Sequence, residues 1–378
     1  MTNIVTQTFD MQIAAPPAAG QSVLAQAAQG MSPGQYQAFT TNGFNNGLVF
    51  HPAYGNSVLD YTDKATWNSV RNSLQILSSS HPSTAPRPNN GRTYFAELRL
   101  SDNTWNNALP LPPDLSNTQD GTYHTYHQET VDPNTGDFYY RKQADYLGKT
   151  VYRFNQSSQA WVQLPNLPCV TGGNVAGGMA YFPDRNSIIY VDGYAGVCEF
   201  SLASQSWTLL ATSAFSSDNS SLPNLPMGQY SNIAEYSPLT RSVIFGAGDT
   251  GANQLYQMDA NGSFTTCSMS GGPTDIEGGG NGNAGSLNVC DPNSGELLVW
   301  MGNNAPAGTP PIAFAYNPAS NAWRSLPRPP WYGQSDGGVF DMAVGAVPAA
   351  AMGLSFGVIV IVYSDGIGHG WVYLYRHS

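Results

Sequence analysis

Residues 291–323 read DPNSGELLVWMGNNAPAGTPPIAFAYNPASNAW, and this stretch holds the whole organisation of the chain in miniature. Asp291–Glu296 combines Pro, Asn, Ser and Gly in the mixture that a tight turn needs. Leu297–Met301 is apolar at every position, too short for a helix and too continuous for a half-exposed strand, so it reads as a strand buried on both faces. Gly302 closes it, and a further strand then carries Tyr316 seven positions before Trp323. One strand before the turn, one after it, one carrying the Tyr–Trp spacing and a proline-rich one at the end make a four-stranded unit.

The same turn recurs along the chain as HPAYGNS (51–57), DPNTGD (132–137), FPDRNS (182–187), SPLTRS (237–242) and VPAAAMG (347–353). The turn prolines, Pro52, Pro133, Pro183, Pro238, Pro292 and Pro348, lie 81, 50, 55, 54 and 56 residues apart. Each turn is followed by an apolar run (SVLDY, FYYR, SIIYV, SVIFG, LLVWM, FGVIVIVY), and Leu98, Phe154 and Phe200 each precede a tryptophan by seven positions. In the fourth unit Phe264 stands at the tryptophan position. Units end in proline-rich segments such as ALPLPPD, VQLPNLP and RSLPRPP, read as the fourth strand. The long first interval predicts an insertion over residues 64–92. Apolar residues at 67, 70, 74 and 77 predict a short amphipathic helix over 66–77 within it.

One such unit cannot bury both faces of its own sheet, so the units must pack on one another, and radial packing does this without long exposed edges. The expected fold is all-β: a six-bladed β-propeller of four-stranded antiparallel blades, one domain over residues 1–378. The sixth unit ends one strand short at His377-Ser378. Residues 1–17, with Phe9 and Pro16-Pro17, are expected to supply its outer strand and close the ring.

The turn, the apolar strand ending in Gly and the aromatic-x6-Trp spacing resemble kelch-type propeller repeats from about Tyr36 onward. The family's double glycine is degraded here to DG, GAG and GNN. Kelch-type propellers serve as enzymes and as scaffolds, so the resemblance implies a fold more than an activity. Copper-radical oxidases also carry such propellers, but they need a Tyr–Cys cross-link and a histidine pair that no cysteine here accompanies.

Composition narrows the function. The chain has 14 Lys and Arg against 25 Asp and Glu, a net charge of −11, which excludes a polyanion-binding surface and with it nucleic acid. Three lysines in all, Lys64, Lys142 and Lys149, leave solubility to Asn, Ser, Thr, Gln and Gly. The N-terminus lacks the basic and apolar regions of a cleavable signal peptide. No run reaches the ~20 apolar residues of a membrane span. Four cysteines without a CxxC pair read as buried free thiols rather than a disulfide.

In such a propeller the loops entering each blade and those joining its second and third strands share one face, the expected ligand face. Thr122–His127 is its richest stretch. His127 or His124 as base, with Tyr126 and with Arg141 to neutralise a carboxylate, would suit β-elimination from a uronate sugar. On a strand the two histidines would point to opposite faces. Tyr123, Lys142, Tyr194 and Asn232 are further ligand candidates, together with the acids Glu235, Asp249 and Asp336; Glu235 is read as the only acid within an inner strand. No D-x-D-x-D-G loop suggests calcium, and no metal or cofactor is expected. Gly280–Gly285 fits G-x-G-x-x-G but precedes a strand, so it lacks the helix N-terminus a pyrophosphate needs.

Three functions fit. The first is a non-enzymatic structural or recognition propeller of a virion, in a phage tail, collar or fibre, contacting other structural proteins or a surface glycan, either as a homo-oligomer or as an assembly subunit. It would be made in the cytoplasm and displayed on a virion or extracellular surface. The second is a polysaccharide lyase, and the third an intracellular kelch-type adaptor, disfavoured by the lysine-poor surface.

Overall fold

The computed structural model describes residues 22–43, 59, 62–78, 94–106, 109–113, 125–142, 149–169, 177–215, 221–248, 252–273, 276, 286–301, 312–330, 341–364 and 370–378. They form six antiparallel sheets arranged as the blades of a propeller. Blade 2 is β6 to β9 (Glu129–Val131, Phe138–Arg141, Val151–Asn155, Ala160–Gln163), and blade 5 is β19 to β22 (Ser286–Cys290, Leu297–Met301, Ala313–Asn317, Ala322–Ser325). Blade 4 is β15 to β18 (Ile233–Ser237, Ser242–Gly246, Leu255–Met258, Phe264–Thr266). Blade 3, β10 to β13 (Gly178–Phe182, Ser187–Asp192, Gly196–Ser201, Ser206–Ser213), gains a short fifth strand, β14 (Asn224–Leu225), parallel to β13.

Blade 1 departs from expectation. Residues 66–77 are a β-hairpin rather than a helix: β2 (Thr66–Asn68) pairs with β3 (Ser73–Ser78), followed by β4 (Tyr94–Arg99) and β5 (Thr104–Asn106). The start of the expected insertion is thus the first half of the blade, whose turn is Asn68–Ser73; the turn at 51–57 lies outside the described residues. The Asn68 side chain accepts hydrogen bonds from the backbone N–H groups of Val70 and Arg71, as Asp132 does from Asn134 and Asp291 from Asn293 and Ser294. The last turn residue is left-handed each time: Asn72, Gly136, Asn186, Arg241 and Gly295 have φ of 53°, 74°, 48°, 51° and 70°. At Gly136 a Cβ would also lie 2.9 Å from both Asn68 Oδ1 and Val70 Cβ, so glycine serves packing between blades as well as φ. The helical spacing misled because a four-residue turn between two strands also places apolar residues three and four apart.

Blade 6 consists of β23 (Asp341–Val347), β24 (Val358–Ser364), β25 (Gly370–Tyr375) and, outermost, β1 (Tyr36–Phe39). An N-terminal strand therefore closes the ring, with Tyr36 opposite Tyr375 and Phe39 opposite Val372. Residues 1–17 lie outside the described residues, and the outer place expected for them is held by Tyr36–Phe39. Two short helices escape the repeat: α1 (Val23–Gln29), capped by the Ser22 hydroxyl on the Ala25 N–H, and α2 (Ala349–Met352) in the last turn.

Among the described residues the buried apolar side chains form six clusters, each lying between neighbouring blades. Strand periodicity explains this. Ile188 and Tyr190 of β11 pack toward blade 2, while Ile189 and Val191 pack toward blade 4. Leu297 and Val299 likewise face blade 4, and Leu298 and Trp300 face blade 6. The second strand of a blade is therefore apolar throughout, each side chain contributing about 1.5–3 kcal/mol on burial.

The aromatic-x6-Trp spacing is a cross-strand pair: Phe154 opposes Trp161, Phe200 opposes Trp207 and Tyr316 opposes Trp323. The proline-rich segments are not fourth strands but exits that pass beneath the next blade. There the Trp161, Trp207 and Trp323 indole N–H groups donate to the carbonyls of Pro110, Pro165 and Ser268, at 2.7, 2.9 and 2.7 Å. In blade 4, where Phe264 has no donor, the Tyr256 hydroxyl donates to Pro226 O instead. The expectation of free thiols is corrected at one pair: Cys169, on the exit from blade 2, is disulfide-bonded to Cys198 of β12, with Cα atoms 6.0 Å apart, while Cys267 and Cys290 are free and buried. Sequence spacing could not show this, because the exit segment brings residue 169 onto a strand of the following blade.

Ring closure uses the same contact. The Tyr36 hydroxyl donates to Pro327 O at 3.1 Å and accepts from Trp300 Nε1 at 2.7 Å, while its ring stacks on Tyr375. Tyr36→Ala is expected to cost about 2–4 kcal/mol in urea unfolding; a loss below about 0.5 kcal/mol would show that closure does not depend on this side chain.

A second clasp ties the C-terminus to blade 5. Glu296 accepts from His377 Nε2 at 2.6 Å and from Arg324 Nη2 at 2.5 Å. The His377 bond first, and then Arg324, hold its carboxyl down at about 2, against an ordinary 4.5. A depressed carboxyl stabilises the fold above its unfolded value, and the effect fades as pH falls toward the folded one. Urea midpoints of the wild type and Glu296→Gln should therefore differ at pH 6 and converge between pH 4.5 and 2.

Candidate functional site

The innermost strands of the blades converge on a common axis. Residues 62–65 run there, joined to blade 2 by a Thr62–Tyr126 bridge and to blade 6 by a Lys64–Val344 bridge. Ala65 N donates to Val344 O, and Val344 N donates to Asp63 O. Lys64 is thereby carried into the centre, 7% exposed. Its ammonium donates to Met179 O of blade 3 at 2.9 Å and to Ala234 O of blade 4 at 3.2 Å, and it pairs with Glu235 Oε1 at 2.8 Å. Two carbonyls and a carboxylate thus surround the ammonium.

Glu235 lines the central pocket, and its Oε2 accepts from Cys290 N of blade 5 at 3.3 Å. It is not the only acid on an inner strand: Glu129 lies on β6, fully buried, its Oε2 accepting from Leu77 N of blade 1 at 3.3 Å. Burial pushes the Glu129 carboxyl well above the usual range, with the nearby Lys64 ammonium pulling the other way.

His127 is fully buried, with Asp63 Oδ2 3.7 Å from Nε2 and Glu235 Oε1 3.7 Å from Nδ1. Burial, then the Lys64 charge, hold the ring well below the ordinary histidine value, so it is neutral at pH 7. It sits in a turn rather than on a strand, after Tyr126 in the left-handed region at φ 37°. Arg141, also buried, donates from Nη1 to Gln128 Oε1 at 2.6 Å and lies 5.8 Å from the centre of the Tyr190 ring, between blades 2 and 3. The proposed base and neutraliser thus face different neighbours.

The other candidates fall apart from one another. Asn232 is a strut: its amide donates to Gly228 O and Ala247 O and accepts from Gly193 N, tying blade 3 to blade 4. The Tyr194 hydroxyl donates to that of Tyr230 at 2.6 Å, and Lys142 is half-buried with its backbone N–H on Thr150 O. Tyr123, His124, Asp249 and Asp336 lie outside the described residues. Among the described residues no group of three or more His, Cys, Asp or Glu side chains is placed to hold a metal ion, and no helix is long and apolar enough to cross a membrane.

Below Lys64 the axis widens into a pocket of about 200 Å³. The residue before each turn lines it, one from every blade: Trp67, Val131, Tyr181, Tyr236, Cys290 and Ala346. It lies at the turn end of the inner strands, opposite the loops expected to carry the ligand face. The rim is held in place: the Tyr181 hydroxyl takes part in hydrogen bonds with Asn134 and Asn186, and that of Tyr236 donates to Asp184 at 2.8 Å. The signal that could have found Lys64 was the Asn68 turn. Once Asn68 is aligned with Asp132, Lys64 falls opposite Gln128 at the entry to an inner strand. The chain matches no protein-family model, and no curated protein matches its sequence.

Removing the ammonium strands a buried carboxylate. Lys64→Met is expected to cost about 3–5 kcal/mol in urea unfolding, and Lys64→Met combined with Glu235→Gln to recover part of it. If the single and double variants were equally destabilised, the pair would not act as a unit.

Proposed function

We propose that this six-bladed propeller, kelch-like in its repeat, is a non-enzymatic recognition or structural protein of a virion, in a tail, collar or fibre, that grips a partner protein or surface glycan. The observation that carries this reading is the turn-end pocket, which takes one side chain from every blade and ends on a Lys64–Glu235 floor whose donors are already satisfied. Such a site is shaped to hold a group from a partner, with the acid at its floor already paired to Lys64. The lysine-poor polar surface and the Cys169–Cys198 disulfide support an oxidising, extracellular or particle-borne setting.

The lyase reading carries less weight, because it asks His127 and Arg141 to converge on one sugar ring while one faces Asp63 and Glu235 and the other Gln128 and Tyr190. Two measurements test the proposal. Genes flanking that of the protein should encode capsid or tail components. Incubation with acidic polysaccharides should give no rise in absorbance from new carbon–carbon double bonds; elimination activity that disappears in His127→Ala would overturn it.

A further inference from the structure

The pocket also says what chemistry it accepts, an inference that rests on the recognition reading above. At its floor the Lys64 ammonium is enclosed by two backbone carbonyls and the Glu235 carboxylate, whereas Glu235 takes a hydrogen bond only at Oε2, from Cys290 N, and leaves most of the roughly four lone-pair sites of a carboxylate open. The open hydrogen-bonding capacity there belongs to an acceptor, so the occupant's tip must be a donor. The walls are mostly apolar, formed by Val131, Ala180, Val289, Ala346 and Pro348 among others. A sugar ring would leave most of its hydroxyls unmatched against them, at a cost for each. A single alkyl stem would not.

Charge selects among donor tips. The floor carboxylate favours a cation, and the chain's net charge of −11 draws cationic partners toward it. Lys64 opposes this only weakly, since two carbonyls and the carboxylate already surround its ammonium. Trp67, Tyr181 and Tyr236 line the pocket, and aromatic rings attract an ammonium or guanidinium that passes over them. We infer that the turn-end pocket receives a lysine or arginine side chain from a partner protein, its alkyl stem between the apolar walls and its charged tip on Glu235.

The test is calorimetric titration of the full chain with Nα-acetyl-lysine methylamide, its arginine and norleucine counterparts, and a methyl hexopyranoside. The lysine and arginine compounds should bind in the millimolar range, and norleucine, which keeps the stem without the charged tip, about tenfold or more weaker. Ala346→Leu, which narrows the pocket without touching the floor, should abolish binding while the melting temperature stays near that of the wild type. Glu235→Gln should weaken binding of the two cations and leave norleucine unchanged. Equal binding of lysine and norleucine compounds would overturn the inference. Binding of the hexopyranoside alone would also overturn it while leaving the recognition reading standing. If none of the compounds bound, the inference would fail, and the recognition reading would still be decided by the flanking genes and the elimination assay.

Discussion

The ring depends on one repeated contact, in which an aromatic side chain of each blade reaches the chain segment leaving the blade before it. Trp161, Trp207 and Trp323 give an indole N–H to a backbone carbonyl, Tyr256 and Tyr36 give a hydroxyl, and Trp105 gives its N–H to the Thr41 hydroxyl. Proline suits the accepting segment because it has no N–H to satisfy and holds the backbone extended. The donor must be aromatic because the same side chain covers the outer end of the apolar layer between blades. This contact couples blade to blade, so closure of the last blade by Tyr36 repeats what every other interface does.

A closed ring of flat blades leaves its axis to be filled, and here the filling is polar. Backbone carbonyls of the inner strands, such as Met179 O and Ala234 O, face the centre. A lysine brought in on residues 62–65 satisfies them and is itself neutralised by Glu235. The cost is a crowded set of ionisable groups, and burial there favours the uncharged forms of His127 and Glu129. The pocket beneath this plug inherits its chemistry from the side of the ion pair that still has capacity.

Blades 2 to 5 could be read from residue order because their signals are local: a proline-containing turn and a continuous apolar strand in all four, and in blades 2, 3 and 5 a cross-strand aromatic pair seven residues apart. Blade 1 was misread for the same reason. Its turn has Ser69 where other blades have proline, and the proline at residue 52 offers a false origin, so the hairpin at 66–78 mimics an inserted helix in residue order. Part of the candidate site went with it. Glu235 could be named from its own strand, whereas Lys64 and Asp63 were hidden by the wrong phase, and Glu129 was overlooked beside the more conspicuous histidines.

The amino-acid sequence by itself determined the repeat, the blade count and the direction in which each strand buries its side chains, since these follow from turn chemistry and a period of two along a strand. Tertiary structure alone decided which residues meet on the axis, which strand closes the ring, and that Cys169 reaches Cys198. Those pairings join residues from different blades, as with Lys64, Met179 and Glu235, and nothing in local spacing encodes a contact made only when the ring is complete.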